Sequence, residues 1–158
     1  MKNTVVVAVL SVVMAACGGE KRADAPAADT SKAAAAPAPA PATPATGATN
    51  DVNMVLEGTT YKFVPAELTV KAGDQVVFHN VSGGPHNVQF FADSIPSGGK
   101  EVIDPQLKDQ LGPLSSKLLV EPNETLAISF ANAPAGVYKF TCTPHMAMKM
   151  SGKITVTK

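Results

Sequence analysis

An excess of charge of either sign is missing from this sequence: 13 Lys plus Arg face 13 Asp plus Glu, and the formal net charge is +0. A nucleic-acid partner calls for a strongly basic face to meet phosphate, so no such partner is expected. Tryptophan is absent, histidine occurs three times (His79, His86 and His145) and cysteine twice (Cys17 and Cys142). Counts this small exclude metal clusters built from many histidines or from two neighbouring cysteines. Long hydrophobic runs are absent too. The apolar stretch Thr4–Ala16 carries no charge, but it is shorter than the roughly 20 residues a membrane-spanning helix needs. It reads as the core of an export signal, with Lys2 as its positive start.

That stretch ends in Met14-Ala15-Ala16-Cys17-Gly18, which resembles the lipobox of bacterial lipoproteins. The resemblance implies that residues 1–16 are removed and that Cys17 is lipidated and becomes the new N-terminus. The alternative is a cut after Ala-x-Ala with Cys17 incidental. Stable anchoring takes more than one acyl chain, and the lipoprotein pattern supplies several. The expected location is therefore the periplasmic face of a membrane, with attachment through the N-terminal lipid only. By resemblance to Gram-negative lipoprotein sorting, Gly18 in place of Asp would favour the outer membrane. Residues 17–50 are rich in Ala, Pro and Thr, most plainly from Ala33 to Pro44. Such a segment cannot bury a core and is expected to be an extended, solvated spacer, reaching roughly 100 Å at about 3.1 Å per residue.

Residues 51–158 read as the folded domain, with nine Lys, ten Asp plus Glu and no Arg. Short segments of alternating polarity broken by Gly, Pro and Asn predict strands over Val52–Glu57, Glu67–Val70, Gln75–Val81, Asn87–Phe91, Lys117–Val120, Thr125–Phe130, Val137–Thr141 and Lys153–Thr157. One short helix is expected after Asp104 as cap and Pro105 as first residue, with Ile103, Leu107 and Leu111 at four-residue spacing and Gly112-Pro113 as the stop. Eight short strands and one minor helix predict an all-β fold, a Greek-key β-sandwich.

The chemistry concentrates near the C-terminus, where Cys142, His145 and Met150 fall within nine residues between two predicted strands. Thiolate and thioether are soft ligands, and imidazole suits copper in either oxidation state. Two His and one Cys in a trigonal arrangement, with a weak axial Met, form the ligand set of a blue-copper site. The fourth ligand must come from elsewhere, and His86 follows a Gly-rich turn. Three histidines are too few for the oxygen-reducing cluster of a multicopper oxidase, and one available cysteine is too few for a binuclear copper centre. No enzymatic activity is expected. A Cu(I) carrier or buffer, drawing on Met146, Met148 and Met150 with His145, is the alternative to electron transfer, and a structural zinc site is a third.

Residues 51–158 resemble a cupredoxin of the plastocyanin branch. The resemblance is carried by Leu68–Phe78, by Pro85-His86-Asn87-Val88 followed by Asp93–Gly98, and by a ligand loop of the form Tyr-x-Phe-x-Cys-x-Pro-His, four residues, then Met-x-Gly-Lys, spanning Tyr138 to Lys153. It implies one type 1 copper per chain, with His86, Cys142 and His145 as close ligands and Met150 as the distant axial one. Met146 lies too close to His145, and Met148 lacks the Gly-Lys that follows Met150. His79 reads as a surface residue rather than a ligand. Pro144 has no N–H to give the Cys142 sulfur, which by analogy raises the reduction potential modestly. Asn87 is expected to tie the His86 strand to the Cys142–Thr143 loop. The resemblance further implies a monomer that passes single electrons between redox proteins through the edge of His145, ringed by Gly84, Pro85, Pro144, Met146 and Ala147. Thr141 stands where plastocyanins place an exposed aromatic. Among c-type cytochromes and respiratory or photosynthetic complexes, respiratory partners such as those cytochromes are at least as well matched as photosynthetic ones.

Overall fold

The computed structural model describes residues 44–158, and the expectations for residues 1–16, for Cys17 and for the spacer up to residue 43 lie outside the described residues. Among the described residues, eight strands form two four-stranded sheets. The first holds β1 (Thr49–Glu57), β2 (Thr60–Val64), β4 (Gln75–Asn80) and β6 (Thr125–Ser129) in the order β2-β1-β4-β6. The second holds β3 (Glu67–Lys71), β5 (Gln89–Phe90), β7 (Gly136–Thr141) and β8 (Ser151–Thr157) in the order β3-β8-β7-β5. Two pairings are parallel, β1 with β4 and β3 with β8, and the rest are antiparallel. The predicted β-sandwich is the observed architecture.

Period-two alternation explains how the two sheets close on one core. In β4, Val76, Phe78 and Asn80 are buried while Gln75, Val77 and His79 face partly outward, as a strand with one covered face must. In β1, Val52 and Met54 point inward, and Phe63 does so from β2. Phe140 of β7 is the hub, edge-on to Phe63 and Phe78 with ring centroids 4.9 and 5.3 Å away and tilted against Phe90 at 5.9 Å. Edge contacts of this kind suit the aromatic quadrupole and add to the apolar burial. Cys142 follows β7 directly, so the packing of Phe140 fixes where the ligand loop begins.

Three elements differ from the sequence reading. The strand β2 went unpredicted, although Gly58, with φ 61°, turns the chain between Glu57 and Thr60 and Thr60–Val64 alternates. Lys117–Val120 is no ladder strand; Leu119 alone bridges to His86. The helix α1 is Gly99–Ile103, followed by a single 3-10 turn at Asp104–Gln106, so it ends where the sequence pattern starts it. Asp104 is drawn away from capping: its carboxylate accepts hydrogen bonds from Lys100 Nζ and from the Leu114 backbone N–H, each at 2.8 Å. Ile103 and Leu107 are buried but Leu111 is exposed. The four-residue spacing therefore marks two separate anchors and not a helical stripe.

Candidate metal centre

Three chain segments bring the site together at one end of the sandwich. The first is the turn Val81–Pro85 after β4, which delivers His86. Two backbone hydrogen bonds pin His86 to Leu119, His86 N–H to its carbonyl at 2.9 Å and Leu119 N–H back at 2.7 Å. Asn80, fully buried, holds this turn from below, donating from Nδ2 to the carbonyls of Gly84 and Leu119 at 3.0 Å each. The second segment is the loop from Cys142 to Met150, folded on itself by Cys142 N–H to Met150 O (2.9 Å), His145 N–H to Cys142 O (3.2 Å) and Met150 N–H to His145 O (3.3 Å). A 3-10 turn at Met146–Met148 lies within it. The third is β2, whose Tyr61 was missed by the sequence reading. Its ring lies over His145, centroids 4.0 Å apart and planes 30° from parallel, and edge-on to His86 at 5.0 Å. Alternation with the core residue Phe63 was the available signal, because residues two apart in a strand share a face.

Among the described residues, His86, Cys142 and His145 are the group of ligating side chains close enough to share an ion, their donor atoms all lying within 4.8 Å of one another. Cys142 Sγ stands 3.3 Å from His145 Nδ1 and 3.7 Å from His86 Nδ1. Metal bonds of roughly 2.0 Å to nitrogen and 2.3 Å to sulfur in a trigonal plane would place such atoms about 3.7 Å apart. The donors are thus spaced for one first-row metal ion. His86 and Cys142 are fully buried and Met150 is 1% exposed, whereas His145 keeps part of its surface accessible. His86 Nε2 lies 3.1 Å from Ser82 Oγ. With Nε2 carrying the proton toward this hydroxyl, Nδ1 is left with its lone pair toward the sulfur.

Electrostatics prepares the donors for a cation. Burial, together with the neighbouring His145, lowers His86 to about 4. Burial lowers His145 as well, so both imidazoles are neutral at pH 7 with lone pairs free. Burial pushes the Cys142 thiol up, against hydrogen bonds that lower it. A bound metal cation reverses that preference, since a coordinating thiol is deprotonated outright.

Around the donors, Asn87 joins two segments. Its Oδ1 accepts the Thr143 backbone N–H at 2.7 Å, and its Nδ2 donates to Thr143 Oγ1 at 3.2 Å and to Ser115 Oγ at 3.1 Å. Pro144, next in the loop, has no N–H to offer the sulfur. His79 stands apart, half exposed on the outer side of β4 and 2.7 Å from Asp51 Oδ1. Thr141 is fully buried, its hydroxyl donating to Met150 O at 2.9 Å.

A fold of this topology closing over two histidines and a cysteine defines a copper protein of the cupredoxin class. The chain belongs to the plastocyanin/azurin family of copper-binding proteins, whose sequence model matches residues 50–157. Ginkgo biloba plastocyanin is 38% identical over 106 residues, which cover 67% of this chain and 98% of the relative. Rumex obtusifolius plastocyanin is 38% identical over 94 residues, 60% of this chain and 86% of the relative. Among solved structures, oxidized plastocyanin from the fern Dryopteris crassirhizoma matches with a TM-score of 0.52 and 31% identity, covering 68% of this chain and 100% of its own. A Sinorhizobium pseudoazurin, with a TM-score of 0.50 and 24% identity over 71% of this chain and 76% of its own, is alike in fold. Copper is therefore the cofactor, one type 1 ion per chain, and the family's members are electron carriers working with redox-protein partners.

Proposed function

We infer that this protein carries single electrons between redox proteins in the periplasm, using one copper held by His86 Nδ1, Cys142 Sγ, His145 Nδ1 and, more distantly, the Met150 thioether. The observation that carries the reading is the packing of two imidazole nitrogens and a thiol within 4.8 Å, with a buried methionine closing the same loop. Bound there, copper supplies a one-electron couple between Cu(I) and Cu(II). The chain's part is to keep its donors still while the charge changes. Asn87 ties the His86 segment to Thr143, and the backbone bonds from Cys142 to Met150 leave the loop little freedom. Tyr61 covers one face of His145, and the accessible part of that imidazole is the contact offered to a partner.

Thr141, buried beneath the ligand loop, presents no aromatic beside Cys142. This favours c-type cytochromes of a respiratory chain as partners over a photosynthetic complex. Tethering by a lipid on Cys17 belongs to the same proposal, with a spacer that ends before β1, since Thr49 and Asn50, which the sequence reading put in the spacer, pair with Gln75 and Val76 of β4. Among the described residues no helix is long and apolar enough to cross a membrane. The copper-loaded protein should show an intense thiolate-to-copper band in the visible and cycle reversibly by one electron. Cys142→Ser should abolish the band, and a variant that keeps it would refute the ligand assignment. A second reading, delivery of Cu(I), draws on the exposed thioethers of Met146 and Met148. A colourless protein that binds only Cu(I) would establish it in place of electron transfer.

A further inference from the structure

His86, Cys142 and Met150 are sealed from solvent, and the Tyr61 ring lies over one face of His145. A metal ion that loads after folding enters either past the accessible part of His145 or from another side of the ligand loop. A cleft of about 250 Å³ opens between β2 and the ligand loop, and Tyr61, Met148, Lys149 and Met150 are among the residues that line it. Met150 is its buried end, 1% exposed, while Met148 stands at the surface with 45% of its area accessible. Lys149 between them adopts the left-handed conformation, φ 58° and ψ 32°, which a residue with a Cβ adopts only at some cost. Met148 and Met150, on either side of that reversal, both line the cleft. Met146 is 51% exposed but does not line the cleft.

We propose that Met148 is a copper-loading residue, a thioether at the mouth of this cleft that captures Cu(I) and yields it to Met150 and the buried donors. The proposal rests on the copper ligands assigned under Proposed function. Thioethers are soft donors that select Cu(I) over harder ions such as Zn²⁺. Lys149 flanks the same cleft, where Lys62 is paired with Glu57, and Coulomb repulsion from Lys149, proportional to charge, opposes a divalent ion twice as strongly as a monovalent one. Met148 Sδ takes up the ion in exchange for a donor of the delivering complex, and Met150 Sδ then takes Met148's place. Cys142 gives up its thiol proton to water as the sulfur binds. No electrons change hands, so no oxidant is required.

The test is anaerobic loading of the copper-free full chain from the Cu(I)–bicinchoninate complex, followed by loss of the chelate's visible absorbance in a stopped-flow instrument. Ferricyanide oxidation afterwards reads out the copper site. Met148→Leu, similar in size and apolar, should slow loading by about tenfold, which is about 1.4 kcal/mol of barrier, yet reach the wild-type visible band at the end-point. Met146→Leu should load at the wild-type rate. If Met148→Leu loads as fast as wild type, or Met146→Leu is slowed as much, the loading route is wrong while the ligand assignment stands. If wild type shows no intense band after loading and oxidation, the ligand assignment fails and the route falls with it.

Discussion

Asn87→Ala tests how the site is held. In the native fold Asn87 is fully buried and makes three hydrogen bonds, two to Thr143 and one to Ser115. Thr143 is exposed, so water can replace part of what its N–H and hydroxyl lose; Ser115 is 3% exposed and its lost donor is not easily replaced. A hydrogen bond whose partner can rehydrate is worth about 0.5–1.5 kcal/mol net, and a buried group left unpaired costs about 1–3 kcal/mol. Together, two such bonds and one such group give a loss of about 2–6 kcal/mol. For a domain of this size, near 4 °C of Tm per kcal/mol, the copper-free variant should melt roughly 8–24 °C below wild type. The clamp also orients the loop that carries Cys142, and loss of such support typically weakens metal binding about 10–100-fold. Copper should therefore raise the Tm of the variant by less than it raises that of wild type. Differential scanning calorimetry with and without copper measures both quantities. An unchanged copper-free Tm would mean that the clamp contributes nothing to folding, and an equal copper-induced rise in both proteins would refute its role in positioning the donors.

Two further predictions concern the frame beneath the site. A Cβ added at Gly152 would lie 2.5 Å from Ala66 O and 2.5 Å from Phe140 Cζ; since neither the backbone nor the packed ring can yield freely, Gly152→Ala should cost about 1–3 kcal/mol by overpacking, visible as a lower urea midpoint. Tyr138, fully buried with its hydroxyl donating to Pro134 O at 2.8 Å, is pushed by burial from 10.0 up to about 12. Between those pH values the unfolded chain holds fewer protons than the native one, so stability should fall as pH rises, by no more than about 1.4 kcal/mol per pH unit. Tyr138→Phe should flatten that part of the urea-denaturation profile, and a slope unchanged by the substitution would refute the assignment.

What could be read from the sequence, and what could not, divides along a physical line. Strands whose alternation is uninterrupted, such as Gln75–Asn80 and Thr125–Ser129, were visible because a two-residue period leaves a mark on composition. The cluster of Cys142 and His145 was legible because the two lie on one short loop. Leu119 was misread as part of a strand because its pairing with His86 depends on the path of a long connection, which local pattern does not encode. The helix was displaced because Asp104, a good cap by type, spends its carboxylate on Lys100 and on Leu114, ten residues away. Tyr61 escaped notice because its meaning lies in what it faces, an imidazole 84 residues further along the chain.

That separation bears on function. His86 lies 56 residues before Cys142, so its distance from the donors of the loop is a property of the folded sandwich and not of any local motif. Phe140 packs among Phe63, Phe78 and Phe90 two residues before Cys142, and Asn87 follows His86 directly. Each close donor is thus one or two bonds of chain away from a fully committed core residue, except His145, which is held by the loop's own backbone bonds and by Tyr61. His145 is also the close donor with accessible surface. The rigid frame accordingly lies on the buried side of the site and the accessible imidazole on the exposed side, an arrangement that would let a redox partner, docking there as proposed, meet the imidazole without moving the sulfur or His86.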